Sequence, residues 1–274
     1  MSRPERRTLI TRVATVSVVL PLFLAALFYL PNVYWMVALL VPLALAAHEW
    51  SGLARLEGRW KWGFIALVVL PLLSVAALPS ITRGSNALIV SAASLGFWLF
   101  AVPAWLALKA TVRSRPALAA AGWLVLVPTW YALAIMQANP LQLLLLLGVI
   151  WISDSAAYFS GSAFGKRRLA PAISPGKTWE GVAGAVGAVT VYYAVIWFIV
   201  PPVDSALRGA SGLAVTLVMV TLGIEGDLFE SWMKRQAGVK DSGSVLPGHG
   251  GVLDRIDSLT AAMPAAALAL ALVR

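Results

Sequence analysis

The chain has 274 residues, 60% of them hydrophobic and 12% charged, with a mean hydropathy of +0.83. A soluble domain carries about 45–50% apolar and about 25% charged residues, so a soluble globular enzyme is excluded; a disordered chain, which needs few apolar residues and many charges, is excluded as well. There is no cysteine, which removes disulfides, thiolate zinc sites and a cysteine nucleophile, and the net charge of +9 points to membrane topology before nucleic acid, because basic residues gather in cytoplasmic loops.

A spanning helix needs about 20 mostly apolar residues. Val13–His48 contains no Asp, Glu, Lys or Arg and is broken by Pro31-Asn32 into two spans. Trp62–Thr82 and Gly84–Leu108 follow, then Pro116–Ser153, which splits near Asn139-Pro140. Gly181–Val203, Gly209–Ile224 and Ser258–Val273 complete the series. The pattern predicts nine helices, near 11–30, 33–49, 62–79, 87–108, 117–136, 141–160, 179–200, 210–232 and 255–273. With the N-terminus inside, 18 of the 21 Lys and Arg fall in inner segments and 3 (Arg83, Arg208, Arg274) in outer ones. The expectation is an all-α integral membrane protein with a cytoplasmic N-terminus and an outer C-terminus. The first span is too long for a signal peptide and is read as an uncleaved anchor. No internal repeat is visible, and the twelve Trp and six Tyr suit interfacial belts.

The acids are distributed differently. Eight of the twelve lie in 154–180 and 225–257, several within or at the ends of apolar helices, where an ionised carboxylate must face a polar cavity or a partner. Residues 1–140 are therefore expected to form scaffold and lipid-facing wall, and residues 141–274 the catalytic helices with their cytoplasmic loops. Asp227 and Glu230 are three apart, as are Asp254 and Asp257, so each pair shares a helix face. One pair closes a helix and the other opens the next on the same side, aiming up to four carboxylates at one point. Hard oxygen ligands of this kind suit Mg²⁺, which takes one or two carboxylates plus substrate phosphates. The connection Ser231–Leu253 adds Lys234, Arg235, Lys240, Asp241 and a Gly-rich turn around Gly250-Gly251, whose amides can bind anions. The combination suggests a nucleoside triphosphate. Interfacial salt bridges are the plain alternative, and four acids at matched spacing weigh against it.

A second constellation holds Asp154 near a helix end, then Lys166-Arg167-Arg168, then Ser174-Pro175-Gly176-Lys177-Thr178-Trp179-Glu180. Ser174-Pro175 predicts a turn, Thr178 a helix start, and Lys177 beside that start a phosphate site. Topology alone accounts for Arg167 and Arg168 but not for Asp154 and Glu180. Gly176-Lys177-Thr178 fails as a P-loop because Pro171 stands where that motif needs Gly and no strand precedes it. His48-Glu49 fails as a zinc-protease motif because Gly52 stands where the second His belongs. Glu49 is read as interfacial, with contact to the site as the alternative. His249 is either a general base or phosphate donor, or a polar filler of the turn.

The stretch Ser231…Lys234-Arg235…Lys240-Asp241-Ser242-Gly243…Leu246-Pro247-Gly248-His249-Gly250-Gly251…Asp254-Arg255…Asp257 resembles the signature of the phosphatidate cytidylyltransferases, or CDP-diacylglycerol synthases. The 154–181 segment resembles that family's second motif region, so the similarity covers about the last 120 residues. One departure is Ser162, where relatives often carry a basic residue.

The resemblance implies transfer of the cytidylyl group of CTP to phosphatidate, giving CDP-diacylglycerol and pyrophosphate for phospholipid synthesis. It also implies a helical membrane fold with a polar cavity open to the cytoplasm and to lipid. It places Mg²⁺ on Asp227 and Asp254, with K⁺ as a second cation nearby. Asp257 and Glu230 could complete the metal shell, and Asp154 could take the second cation. The phosphatidate oxygen is already nucleophilic, so the task is to offset repulsion between two anions, by positioning and electrostatics. Lys234, Arg235, Lys240, Arg255 and His249 are the expected catalytic groups beside the two aspartates. Lys166, Ser174, Lys177, Thr178, Asp241, Gly250 and Gly251 are the expected phosphate-binding groups. Expected partners are CTP, phosphatidate and membrane lipids, with no nucleic acid and with a homodimer through the apolar N-terminal helices as a candidate assembly. The expected location is a bacterial inner membrane, with the site facing the cytoplasm. The rivals are a CTP-dependent lipid-alcohol kinase and a cation- or proton-coupled transporter, although transporters usually place such acids near the midplane.

Overall fold

The computed structural model describes residues 3–77, 85–200, 208–245, 248 and 250–273. Its helices are α1 (Arg3–Tyr29), α2 (Asn32–Leu53), α3 (Arg59–Ala77), α4 (Ser85–Gly96), α5 (Val102–Ala107), α6 (Arg115–Met136), α7 (Pro140–Phe164), α8 (Trp179–Ile199), α9 (Gly209–Ala237) and α10 (Leu253–Val273). One π-helical turn, Phe97–Ala101, joins α4 to α5 without a break, so the described residues build nine rods. Seven of them, α2, the α4–α5 rod and α6 to α10, are long and apolar enough to cross a membrane. The fold is that of an all-α integral membrane protein.

Several elements differ from the sequence expectation, and the following bear most on the connections. Helix α1 begins at Arg3, so the basic N-terminal residues are helical. Helix α9 runs to Ala237, past the expected end near 232, because nothing breaks it before Gly238, whose φ of 79° supplies the left-handed cap. Lys234 and Arg235 therefore ride on a helix and not in a loop. Ser174–Thr178 is no turn; it is strand β2, antiparallel to β1 (Arg168–Ala170). The reversal falls just before it, where Ile173 N donates to Ala170 O at 3.0 Å.

Prolines inside helices free a carbonyl four residues earlier, and a membrane helix must find that carbonyl a donor. Pro128 of α6 frees Leu124 O, which accepts from Ser94 Oγ at 3.1 Å. Pro264 of α10 frees Thr260 O, which accepts from Thr129 Oγ1 at 3.3 Å. Helix α10 is the centre of the bundle, packed on α9, α6, α4 and α7, and its Ala261, Ala262, Met263 and Ala266 are fully buried. Small residues let α9 and α10 approach closely: a Cβ at Gly226 would lie 2.5 Å from Asp257 O. That contact sets 226–230 against 254–258.

The basic connections meet at one end of the bundle. Arg55 reaches Gln236 O at 3.2 Å, Gln236 exchanges two hydrogen bonds with the backbone of Val112, and Lys177 touches α9. The twelve Trp are not all belt residues, for Trp35, Trp50, Trp98 and Trp130 are buried. Trp50, Phe97, Trp98 and Trp105 surround Phe229 with ring centroids 5.4–6.1 Å away. This aromatic clamp fixes the turn of α9 that carries Asp227 and Glu230.

Candidate active site

Two lysine–carboxylate centres occupy that end. The first joins β2, α7, α9 and α10. Lys177, one residue before the α8 cap, places Nζ 2.7 Å from Asp227 Oδ2 and 3.3 Å from Ile224 O. Thr178 begins α8 as expected, its Oγ1 accepting from Gly181 N at 3.1 Å. Asp154 accepts from Ser258 Oγ at 3.4 Å, and Asp257 Oδ1 accepts from Ser258 N at 2.8 Å. Asp154, Asp227, Asp257 and Lys177 lie in electrostatic range of one another. Asp227 alone pairs with Lys177, while Asp154 and Asp257 add negative charge nearby.

The second centre joins α2, α9, α10 and the 238–252 loop. Lys234 pairs with Glu230 one turn earlier and with Asp254 Oδ1 at 2.7 Å. Asp254 Oδ2 accepts from Ser242 N at 3.0 Å, Ser242 Oγ at 2.9 Å and Gly251 N at 2.8 Å. Glu49, 4% exposed, accepts from Val252 N at 2.9 Å and Leu253 N at 2.8 Å, and Ser242 Oγ lies 3.2 Å from it. Its charge sits at the N-terminus of α10, where the helix dipole favours an anion. The loop closes this tightly only because it has glycines. A Cβ at Gly251 would lie 2.3 Å from Ser242 Oγ and 2.5 Å from Glu49 Oε2, and one at Gly243 would lie 2.5 Å from Glu49 Oε1.

Of the four carboxylates expected at one point, Asp227 takes Lys177, Glu230 and Asp254 take Lys234, and Asp257 takes no lysine but the amide of Ser258. Asp254 accepts four hydrogen bonds, which fills its lone pairs. Among the described residues no three acidic or histidine side chains converge as a metal site. The donor chemistry around Asp227 nevertheless fits Mg²⁺: hard oxygens, more negative charge than Lys177 offsets, and an ion that needs only one or two carboxylates beside phosphates. At the rim, Lys166, Arg235, Lys240, Asp241 and Arg255 are exposed. The side chains of these four bases have no hydrogen-bond or ion-pair partner among the described residues. Ser174 opens β2, and Gly250, with φ of 82°, turns the loop before Gly251. Glu180 accepts from the amides of Lys166 and Arg167 at 3.0–3.3 Å and shapes the hairpin. His249 lies outside the described residues. Glu49 takes the alternative reading, contact with the site, over the interfacial one, and Ser242, quoted in the motif without a role, is a second participant. The usable signal was a carboxylate closing an apolar helix.

The sequence profile of the cytidylyltransferase family matches residues 10–273. The chain belongs to that family. As a member it is a nucleotidyltransferase. The chain is 38% identical to a phosphatidate cytidylyltransferase of Pseudomonas aeruginosa over 260 residues, 92% of this chain and 93% of that one. It is 51% identical to the Haemophilus influenzae phosphatidate cytidylyltransferase over 119 residues, 42% of this chain and 41% of the relative. It is 47% identical to the Bacillus subtilis enzyme of the same name over 116 residues, 42% of each chain.

Proposed function

We propose that this cytidylyltransferase moves the cytidylyl group of CTP to phosphatidate, releasing pyrophosphate and forming CDP-diacylglycerol for phospholipid synthesis. The observation that carries the reading is the pair of lysine–carboxylate centres on successive turns of α9, beneath a rim of unpaired bases, in a bundle of membrane-spanning helices. Unpaired Lys166, Arg235 and Lys240 attract a polyanion. Lys177 and Lys234, held by carboxylates, are fixed ammonium groups able to line the α-phosphorus up with the attacking lipid oxygen. Preorganised charge of this kind favours a transition state whose negative charge shifts onto the leaving pyrophosphate.

Mg²⁺ would be held at Asp227, with Asp154 and Asp257 beside it, and would supply charge neutralisation for the triphosphate; K⁺ is the second cation of the reading. Asp254 joins a metal shell only by exchanging the ammonium of Lys234. The remaining parts of the proposal are a bacterial inner-membrane location, a cytoplasmic N-terminus and site, an outer C-terminus and a homodimer through the apolar N-terminal helices. The clustering of the basic connections at one end supports the orientation.

The test supplies CTP labelled on the α-phosphate, with phosphatidate, to purified protein in detergent micelles. Mg²⁺-dependent label in lipid with stoichiometric pyrophosphate supports the reading. Release of CDP with no label in lipid supports the lipid-alcohol kinase instead, and no nucleotide chemistry by folded protein refutes both.

A further inference from the structure

Beside the site lies an apolar cavity of about 450 Å³, within the ~300–1,000 Å³ range of small-molecule sites. Its walls come from α1, α2, α6, α7 and α10. It begins at Arg255, in the first turn of α10, and runs away from the site end of the bundle to Phe23 and Leu133. Phe23 closes the far end through edge contacts with Trp35 at 5.7 Å and Trp151 at 6.4 Å. Arg255 directly follows Asp254, yet the two point differently: Asp254 turns to Lys234 and Ser242, Arg255 to the cavity. Along one side the wall is α1, whose Val19 is 51% exposed, so the cavity opens laterally between helices and not toward the basic connections alone.

The lining decides the class of occupant. A peptide segment would bring backbone N–H and C=O groups into a stretch that offers them almost no partners, at a cost of several kcal/mol each. An alkyl chain brings none. The guanidinium at one end has no ion-pair or hydrogen-bond partner among the described residues, so it asks for an anion attached to that chain. We propose that this cavity is the acyl-chain subsite of the phosphatidate substrate, with Arg255 receiving the lipid phosphate next to Asp254. The headgroup identity rests on the cytidylyl-transfer reading above; the amphiphile class rests on the cavity itself.

The test uses phosphatidate carrying a photoreactive diazirine at mid-chain, mixed with the full chain in detergent micelles without CTP, followed by peptide mapping. The expected label lies on α1, α6 and α7, is competed on the order of tenfold better by phosphatidate than by phosphatidylcholine, and falls about tenfold in Arg255→Gln, as the loss of one charge-assisted hydrogen bond implies. A second variant, Val19→Trp, narrows the cavity from a half-exposed position. It should raise the KM for dioleoyl phosphatidate about tenfold more than the KM for dihexanoyl phosphatidate. Label on other helices, equal competition by phosphatidylcholine, or an unchanged ratio of the two KM values overturns the assignment. Labelling requires no turnover, so the two readings fail separately. A chain that labels here but transfers no cytidylyl group keeps the subsite and loses the reaction. A chain that transfers the group but labels elsewhere loses the subsite.

Discussion

Replacing Glu49 by Gln tests whether the N-terminal half holds the site together. The carboxylate receives Val252 N on Oε1 and Leu253 N on Oε2, and both donors are backbone groups that cannot turn away. An amide keeps one acceptor oxygen and sets an NH₂ against the other N–H. One hydrogen bond to a charged group is lost, about 1.5–3 kcal/mol. The favourable interaction with the α10 N-terminus also goes, up to about 2 kcal/mol in a partly buried setting. These contributions overlap, so about 3 kcal/mol is expected. Because Ser242 and Gly251 connect Glu49 to Asp254, the loss falls on the loop that holds Asp254 against Lys234. Amide exchange at Val252 and Leu253 should accelerate on the order of 100-fold in detergent, and kcat should fall by up to the same factor if the loop must be closed in the transition state. Glu49→Asp keeps the charge but not the reach and should fall between the two. Wild-type exchange and wild-type kcat in folded Glu49→Gln would refute the argument.

Asp227→Asn leaves Lys177 without its ion-pair partner and should lower kcat on the order of 100-fold or more while the protein remains monodisperse on size exclusion; activity within threefold of wild type at ordinary Mg²⁺ would remove Asp227 from the metal role. Gly251→Ala forces a methyl against Ser242 and Glu49 and should cost about 1–3 kcal/mol, read as a lower Tm in detergent. Gly52→Ala, where nothing lies within 4 Å of the added carbon, is the matched control and should not lower it. Thr178→Ala removes the α8 cap and should cost about 1 kcal/mol, with Thr178→Ser restoring most of the lost Tm.

The rods were legible because a membrane helix must be long and uniformly apolar, and each break in this chain falls at Pro, Asn, Gly or charge. The end of α9 was not, since Lys and Arg at 234 and 235 look like loop residues until Gly238 is recognised as the actual stop. The β1–β2 hairpin was illegible for a related reason: Ser-Pro-Gly-Lys-Thr has turn composition, and only pairing with Arg168–Ala170 makes it extended. In the site, spacing alone placed Asp227 with Glu230 and Asp254 with Asp257 on common faces. It could not say which lysine each carboxylate would take, because that depends on the Gly226–Asp257 approach, a contact between residues 31 apart in the chain.

Helices α9 and α10 also depend on contacts from the N-terminal helices. They carry the acids, but the start of α10 leaves two backbone amides, and Phe229 of α9 an aromatic ring, that the two helices do not enclose themselves. Glu49 satisfies the α10 amides, and Trp50, Phe97, Trp98 and Trp105 enclose Phe229. All five side chains come from residues before 140. An N-terminal half that only faced lipid would need no buried acid and no inward-facing tryptophans. One that sets the register of α9 and α10 needs both.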